Sequence, residues 1–321
     1  MENMVKPLPI NLPDFFKGKR VLVTGHTGFK GSWLSFWLKQ MNARVTGFAL
    51  RPEYPRSHFE LLGLNNFIHH VEADLRDMDR LRSVISELKP EIVFHLAAQA
   101  IVRRSYKEPK LTFDTNFGGS LNLLEAVRHT DSVQVLIYVT SDKCYLNKEW
   151  VWGYRENDEL GGHDPYSASK AAAELAYKAY VNSYFQCGPP YIASVRAGNV
   201  IGGGDWADDR IIPDCIRALE AGKSIIIRNP NATRPWQHVL DPLHGYLSLA
   251  AALANKTARH GDSWNFGPDL DKGRTVQELA AAAVAVWGSG SVKVKPANAD
   301  QYEHRLLQLS IDKAKLELGW R

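Results

Sequence analysis

Short β-branched runs alternate with amphipathic stretches through the first two thirds of the chain, and this rhythm limits the fold more than any other feature. Arg20-Val21-Leu22-Val23-Thr24 is followed by a helical pattern to Met41 and then by Arg44-Val45-Thr46-Gly47-Phe48. The rhythm returns at Ile68-His69-His70-Val71, Glu91-Ile92-Val93-Phe94, Val135-Leu136-Ile137-Tyr138-Val139 and Ile192-Ala193-Ser194-Val195. Near-continuous apolar strands separated by helices need cover on both faces. The pattern therefore predicts an α/β fold, a Rossmann-type doubly wound parallel sheet with helices on both sides. In such a sheet ligands collect at the carboxyl ends of the strands.

The rhythm changes after about Arg196, where Gly202-Gly203-Gly204 and a loop lead into Ile211-Ile212-Pro213 and a short helix. Beyond lie Ser224-Ile225-Ile226-Ile227 and a loop bearing Pro and Arg. Asp241-Pro242 then reads as a helix N-cap with proline at the first helical position. We divide the chain into a dinucleotide-binding domain that carries the catalytic residues, 1–195, and a smaller C-terminal substrate-binding region, 196–321, with a segment near 235–253 returning to the first domain.

With 321 residues, 45% of them hydrophobic, the chain can bury a large core. Its three cysteines, Cys144, Cys187 and Cys215, show no Cys-x-x-Cys spacing, and the eleven histidines show no ligand spacing. Neither a disulfide framework nor a metal site is expected. The start has no leader pattern, and no run reaches the ~18 apolar residues of a membrane helix, so a cytoplasmic protein without a membrane partner is expected. The net charge of +4 is dispersed. No nucleic-acid partner is expected, although a few arginines are available to line a pocket for an anionic ligand.

Gly25-His26-Thr27-Gly28-Phe29-Lys30-Gly31 follows a strand and opens a helix. In that context glycines let the backbone approach a pyrophosphate, and the helix N-terminus supplies free N–H groups. His26 is bulkier than the small residue usual there, and either weakens cofactor binding or places a donor beside it. The second strand ends in Phe48-Ala49-Leu50-Arg51 with no acid for ribose hydroxyls. Arg51 could meet a 2′-phosphate, so these residues leave NAD and NADP open. Asp74, just past the third strand, can accept from an adenine amine with Leu75 against the ring, or it can simply turn the chain before the next helix.

Tyr166 and Lys170 stand at i and i+4, on one face of a helix. An ammonium near a phenol favours the phenolate, which can take a proton from a substrate hydroxyl while hydride leaves the same carbon. The spacing alone is weak, since Tyr106 and Lys110 repeat it. Pro109 interrupts that second pair, whereas Tyr166 opens an uninterrupted helix-forming run. Ser141-Asp142-Lys143, at the end of a strand, adds groups that a simple dehydrogenase does not need.

Together the Thr-Gly-x-x-Gly-x-x-Gly loop, His95-Leu96-Ala97-Ala98-Gln99, Asn116 and Tyr166-x-x-x-Lys170 resemble the extended short-chain dehydrogenase/reductase superfamily, from about Gly18 to Trp320. Gly25 through Trp33, Thr140 through Tyr145, Arg196 through Trp206 and Arg234 through Val239 resemble the CDP-glucose 4,6-dehydratase family within it. The resemblance implies CDP-D-glucose as substrate and NAD as cofactor, recycled at each turnover, in a step toward dideoxysugars of bacterial surface polysaccharides. It implies Ser141, Asp142, Lys143, Tyr166 and Lys170 as catalytic residues, with Asp142 the acid for the C6 hydroxyl and Lys143 the base at C5. Related enzymes acting on dTDP-glucose usually carry Asp-Glu at those two positions. It also implies cofactor contacts from Gly25 to Gly31, Arg51, Asp74, Leu75, Leu96, Ala97, Ala98, Gln99 and Asn116, and substrate contacts from Asn199, Arg234 and Glu303. Arg196 is as easily structural.

The apolar faces of the helices near Leu111–Val127 and Tyr166–Tyr184 either pack internally or pair across a two-fold axis, as in extended relatives, into a homodimer or homotetramer. Relatives usually continue past Leu318-Gly319-Trp320-Arg321, so a truncated chain is expected. A nucleotide-sugar 4-epimerase would need the Tyr and Lys but not Asp142 and Lys143. A non-catalytic NAD-sensing scaffold would need none of the four.

Overall fold

The structure, a computed structural model, describes residues 10–269, 274–295 and 306–321. Six strands follow one another as β1 (Arg20–Thr24), β2 (Arg44–Ala49), β3 (His69–Glu72), β4 (Ile92–His95), β5 (Val135–Val139) and β6 (Tyr191–Ala197). The short strands β7 (Val200–Ile201), β8 (Ile225–Ile227), β9 (Thr233–Arg234) and β10 (Gln237–His238) precede β11 (Ser263–Phe266), β12 (Arg274–Thr275) and β13 (Val292–Val294). The main sheet has seven strands in the order β3-β2-β1-β4-β5-β6-β11, and every pairing is parallel. This is the predicted doubly wound fold.

The inner strands are buried almost throughout, β4 and β5 completely, as the apolar runs require, whereas the edge strand β3 buries only Val71. One face of the sheet is covered by the helices Phe29–Gln40 and Leu240–Ala254, and its core includes Leu34, Leu38, Leu243 and Leu247. On the other face the helices Met78–Leu88, Ser120–Arg128 and Pro165–Tyr184 bury Leu81, Ile85, Leu123, Leu124 and Tyr177. A third, small cluster of Cys215, Leu219, Ile225, Ile227 and Ala280 joins the helices Ile211–Glu220 and Val276–Trp287 to β8.

After its excursion beyond β6 the chain returns to the sheet. The helix Leu240–Ala254 lies against it, and β11 extends it through Ser263↔Ser194 to Phe266↔Ala197. The helix starts at Leu240 after Val239, two residues earlier than Asp241-Pro242 would make it as an N-cap pair. Asp241 instead accepts from the His238 backbone N–H at 3.2 Å from inside the first turn. The expected helix Leu111–Val127 is also modified: Pro109–Phe113 and Ser120–Arg128 are α-helical, and Asp114–Gly119 between them is a π-turn. Among the described residues no helix is long and apolar enough to cross a membrane, and no group of three or more His, Cys, Asp or Glu could hold a metal ion.

Candidate active site

A cavity of about 670 Å³ opens at the carboxyl ends of β1, β2, β4, β5 and β6 and is closed on its far side by residues from the C-terminal part of the chain. The glycine loop forms one end. Gly25 takes φ +77°, and a β-carbon there would stand 2.7 Å from the Ala97 backbone; one on Gly31 would stand 2.1 Å from the Gly25 carbonyl oxygen. These clashes keep the loop tight and bare. Gly28 caps the helix Phe29–Gln40 with no side-chain cap, leaving first-turn N–H groups for an anion. Such a cradle fits the pyrophosphate of a dinucleotide.

Gly25, Thr27, Gly28, Phe29, Lys30 and Gly31 line the cavity, together with Arg51, Asp74, Leu75, Leu96, Ala97, Ala98 and Gln99. His26 does not. Its imidazole is fully buried, shares a 2.7 Å hydrogen bond with His70 and meets the Phe59 ring edge-on. Burial, together with the neighbouring His70, drives its pKa down to about 3, so it is a neutral packing residue and presents no donor to the cavity. Asn116 also stands behind the wall. It accepts from the Gln99 N–H at 2.8 Å and donates to the Gln99 carbonyl and to Ser169, each at 3.0 Å, fixing that loop to the helix Pro165–Tyr184.

At the outer rim Arg51 donates to Glu72 at 2.7 Å. Asp74 is gripped by Arg76, whose guanidinium holds its carboxyl below the usual carboxylate range, and it also accepts the Arg76 backbone N–H at 2.9 Å. The turn is real, and the carboxylate still faces the cavity.

Proton-transfer groups gather at the end of β5. Ser141 donates to Asp142 Oδ1 at 2.9 Å and accepts the Lys143 N–H at 3.2 Å. Asp142 is buried, its Oδ2 has no partner, and burial pushes its pKa up against the opposing fields of Lys143, Ser141, Lys30 and Arg234. Asp164 caps the helix Pro165–Tyr184 by accepting from the Ser167 N–H at 3.0 Å, and proline occupies the first turn. This start aims Tyr166 and, one turn on, Lys170 into the same cavity. Burial raises the Tyr166 phenol to about 12, with a Ser141 hydrogen bond and Arg210 acting against it. Burial lowers Lys170 to about 8. The competing Tyr106–Lys110 pair is broken at Glu108, with φ −129° and ψ 60°, and Lys110 pairs with Asp114 at the surface. Lys30 enters from the glycine loop, lowered to about 8 by burial and by Lys170 and Arg210.

Asn199 and Arg234 line the opposite wall. Glu303 lies outside the described residues. Arg196 is structural: with no exposed side-chain surface, it pairs with Glu174 at 2.7 Å and donates to Tyr145 at 2.7 Å.

The sequence profile of the GDP-mannose 4,6 dehydratase family matches residues 22–321. The chain belongs to that family. A CDP-glucose 4,6-dehydratase of Salmonella typhimurium is 49% identical over 313 residues, 96% of this chain and 87% of the relative. Among solved structures, the epimerase Mth375 from Methanothermobacter thermautotrophicus has a TM-score of 0.82 at 26% identity, covering 97% of this chain and 89% of its own. DesIV from Streptomyces venezuelae, a dTDP-glucose 4,6-dehydratase crystallised with NAD bound, has a TM-score of 0.79 at 23% identity, covering 94% of this chain and 91% of its own, and supports the fold.

Several lining residues of this family member are given no role by the sequence reading. Arg103, Trp206, Arg210 and Arg228 all face the cavity, from a short helix and from irregular loops. Arg210 is held by Asp205 at 3.0 Å, and Trp206 lies under the Arg56 guanidinium at 3.9 Å. The loop between β7 and the helix Ile211–Glu220 carries no periodicity, so only the tertiary fold brings Trp206 and Arg210 to the cavity.

Proposed function

We propose that this protein is an NAD-dependent CDP-D-glucose 4,6-dehydratase, a hydro-lyase that converts CDP-D-glucose to CDP-4-keto-6-deoxy-D-glucose and water. Asp142 carries the reading: a buried carboxyl with a raised pKa and an unpartnered Oδ2, beside the Ser141–Tyr166 pair. A 4-epimerase has no use for a proton donor there. The Salmonella relative supports the cytidine carrier.

Gly25 to Gly31 would hold the NAD diphosphate, and Asp74, Leu75 and Ala97 to Gln99 the rest of the dinucleotide. NAD supplies hydride acceptance at C4 and hydride return at C6, so the overall reaction is redox-neutral. Tyr166 takes the C4 hydroxyl proton while Ser141 hydrogen-bonds the same oxygen. Burial alone would leave the phenol protonated; the Ser141 hydrogen bond and Arg210 act against it, and we assign the Lys170 ammonium one turn away the same role. The C4 ketone acidifies the C5 proton. Lys143 removes it, and Asp142 protonates the C6 hydroxyl, which departs as water. Lys143 then returns a proton to C5, and by exchange with solvent Tyr166 gives up the C4 hydroxyl proton while Asp142 regains one, which resets both groups. Asn199 and Arg234 bind the diphosphate and its flanking sugar, an Arg fork matching phosphate oxygens.

The substrate-binding unit on this reading is 196–321 apart from the segment that returns to the sheet. The enzyme is cytoplasmic and assembles as a homodimer or homotetramer through the helices near Leu111–Val127 and Tyr166–Tyr184, the latter exposing Leu175 and Tyr184. A monomer in sedimentation at micromolar concentration would remove the assembly. The test of function is mass spectrometry of the protein with NAD and, separately, CDP-, dTDP- and UDP-glucose and GDP-mannose. Loss of one water from CDP-glucose alone is expected; no loss from any of them ends the proposal.

A further inference from the structure

The adenosine corner of the cavity has an unusual charge arrangement. β2 ends at Ala49 without an acid, and Leu50 and Arg51 continue along the cavity wall. The Leu50 carbonyl accepts from Thr27 of the glycine loop at 2.9 Å, which ties this rim to the pyrophosphate cradle. In a dinucleotide fold an acid at the end of the second strand meets the ribose 2′-hydroxyl, and an arginine nearby accommodates a 2′-phosphate. Arg51 by itself would therefore favour the phosphorylated cofactor.

A carboxylate arrives from the neighbouring strand instead. Glu72 ends β3 and stands in register with Ala49. Its Oε1 accepts from Arg51 Nε at 2.7 Å. Two residues on, Asp74 holds Arg76 through both Nε and Nη2, at 3.0 and 2.5 Å. Both guanidiniums of the rim thus have carboxylate partners, and the four charges cancel. A 2′-phosphate would bring about −1.5 to −2 charges to this corner, would have to displace Glu72 from Arg51, and would then lie beside two carboxylates. A 2′-hydroxyl makes no such demand.

Resting on the reading that a nicotinamide dinucleotide fills the glycine-loop end, we propose that Glu72 is the specificity residue for NAD over NADP, acting by occupying the guanidinium of Arg51, the cavity-lining cation that a 2′-phosphate would otherwise meet. The pair is solvent-facing, with 81% of the Arg51 and 45% of the Glu72 side chain exposed, so it adds little to stability and its removal leaves the fold intact. What it changes is which anion the guanidinium can accept.

Nicotinamide fluorescence titrations with NADH and NADPH at low ionic strength test this on the wild type, Glu72→Gln, Arg51→Gln and the double variant. The wild type is expected to bind NADH more tightly than NADPH. Glu72→Gln is expected to tighten NADPH by about ten-fold, the scale of one charge-assisted hydrogen bond, with NADH nearly unchanged. The gain should shrink with added salt and vanish in the double variant. An unchanged NADPH affinity in Glu72→Gln, or a gain that survives loss of Arg51, overturns the proposal while leaving NAD binding itself in place. Failure of the wild type to bind either dinucleotide removes the cofactor reading and this inference together.

Discussion

Asp142 and Lys143 are neighbours in sequence with different surroundings: the carboxyl is buried with one oxygen unpartnered, and the lysine is half-buried at the cavity wall. The division into acid and base is what the family resemblance implies, and the buried, unpartnered carboxyl oxygen supports the acid role. Asp142→Asn keeps a hydrogen-bonding group but cannot release a proton. Turnover is expected to fall by roughly 10²- to 10⁴-fold, reduced nicotinamide is expected to accumulate, and C5 should still exchange with solvent. Lys143→Ala should also stall after C4 oxidation, but without exchange at C5. Absorbance of the reduced cofactor and the isotope content of the trapped sugar separate the two cases. Retained exchange in Lys143→Ala would move the base to another residue. Tyr166 and Lys170 were legible because a short helical motif contains both. His26 was not, because a motif gives a position and says nothing of direction: the ring turns toward Phe59 and His70, away from the cavity.

At the scale of elements, the helix Pro165–Tyr184 presents Tyr166, Lys170 and Glu174 at four-residue spacing. Glu174 fastens that face to the sheet by accepting from Arg196 of β6 at 2.7 Å, from Ser194 at 3.0 Å and from Thr140 at 2.5 Å. Both members of the Glu174–Arg196 pair lie in the interior; its partner draws the Glu174 carboxyl below its usual range and holds the Arg196 guanidinium firmly charged. Glu174→Gln leaves a buried cation without its counter-charge. About 3–5 kcal/mol of stability should be lost, measured by urea unfolding, with the Tyr166 environment disturbed in consequence. A loss below about 1 kcal/mol would mean that the pair relaxes at little cost. The strands were readable from apolar runs to within a residue or two. The π-turn at Asp114–Gly119 was not, because helical periodicity alone does not signal it, and Asn116 within it is tied to Gln99 and Ser169, contacts between distant parts of the chain.

For the whole molecule, the sheet organises a core on each face, and β11 closes its edge with a strand contributed from beyond the substrate-side excursion. That return is only partly visible in sequence, since Ser263–Phe266 is short and follows no strand-helix rhythm. Three buried histidines make stability depend on acid. Burial lowers His26 and His95 to about 3 and His58 to about 4, with His70 also acting on His26 and Lys170 on His95. Each remains neutral in the fold while the unfolded chain titrates near 6.5. The unfolded state therefore binds more protons between about pH 6.5 and 4, and stability falls as pH falls through that window. Denaturant midpoints at pH 7.5 and 5 are expected to show the drop, with net proton uptake on unfolding at pH 5. Equal midpoints and no uptake would mean that these rings are solvated.

The decisive measurement is conversion of CDP-D-glucose in deuterated water with NAD, followed by mass and NMR analysis of the sugar. A 4,6-dehydratase acting through Asp142 and Lys143 must give a product lighter by one water, with solvent deuterium at C5 and the hydride originating at C4 retained at C6. A C4-inverted sugar that has kept its water and gained no deuterium would instead make this protein an epimerase and contradict the account.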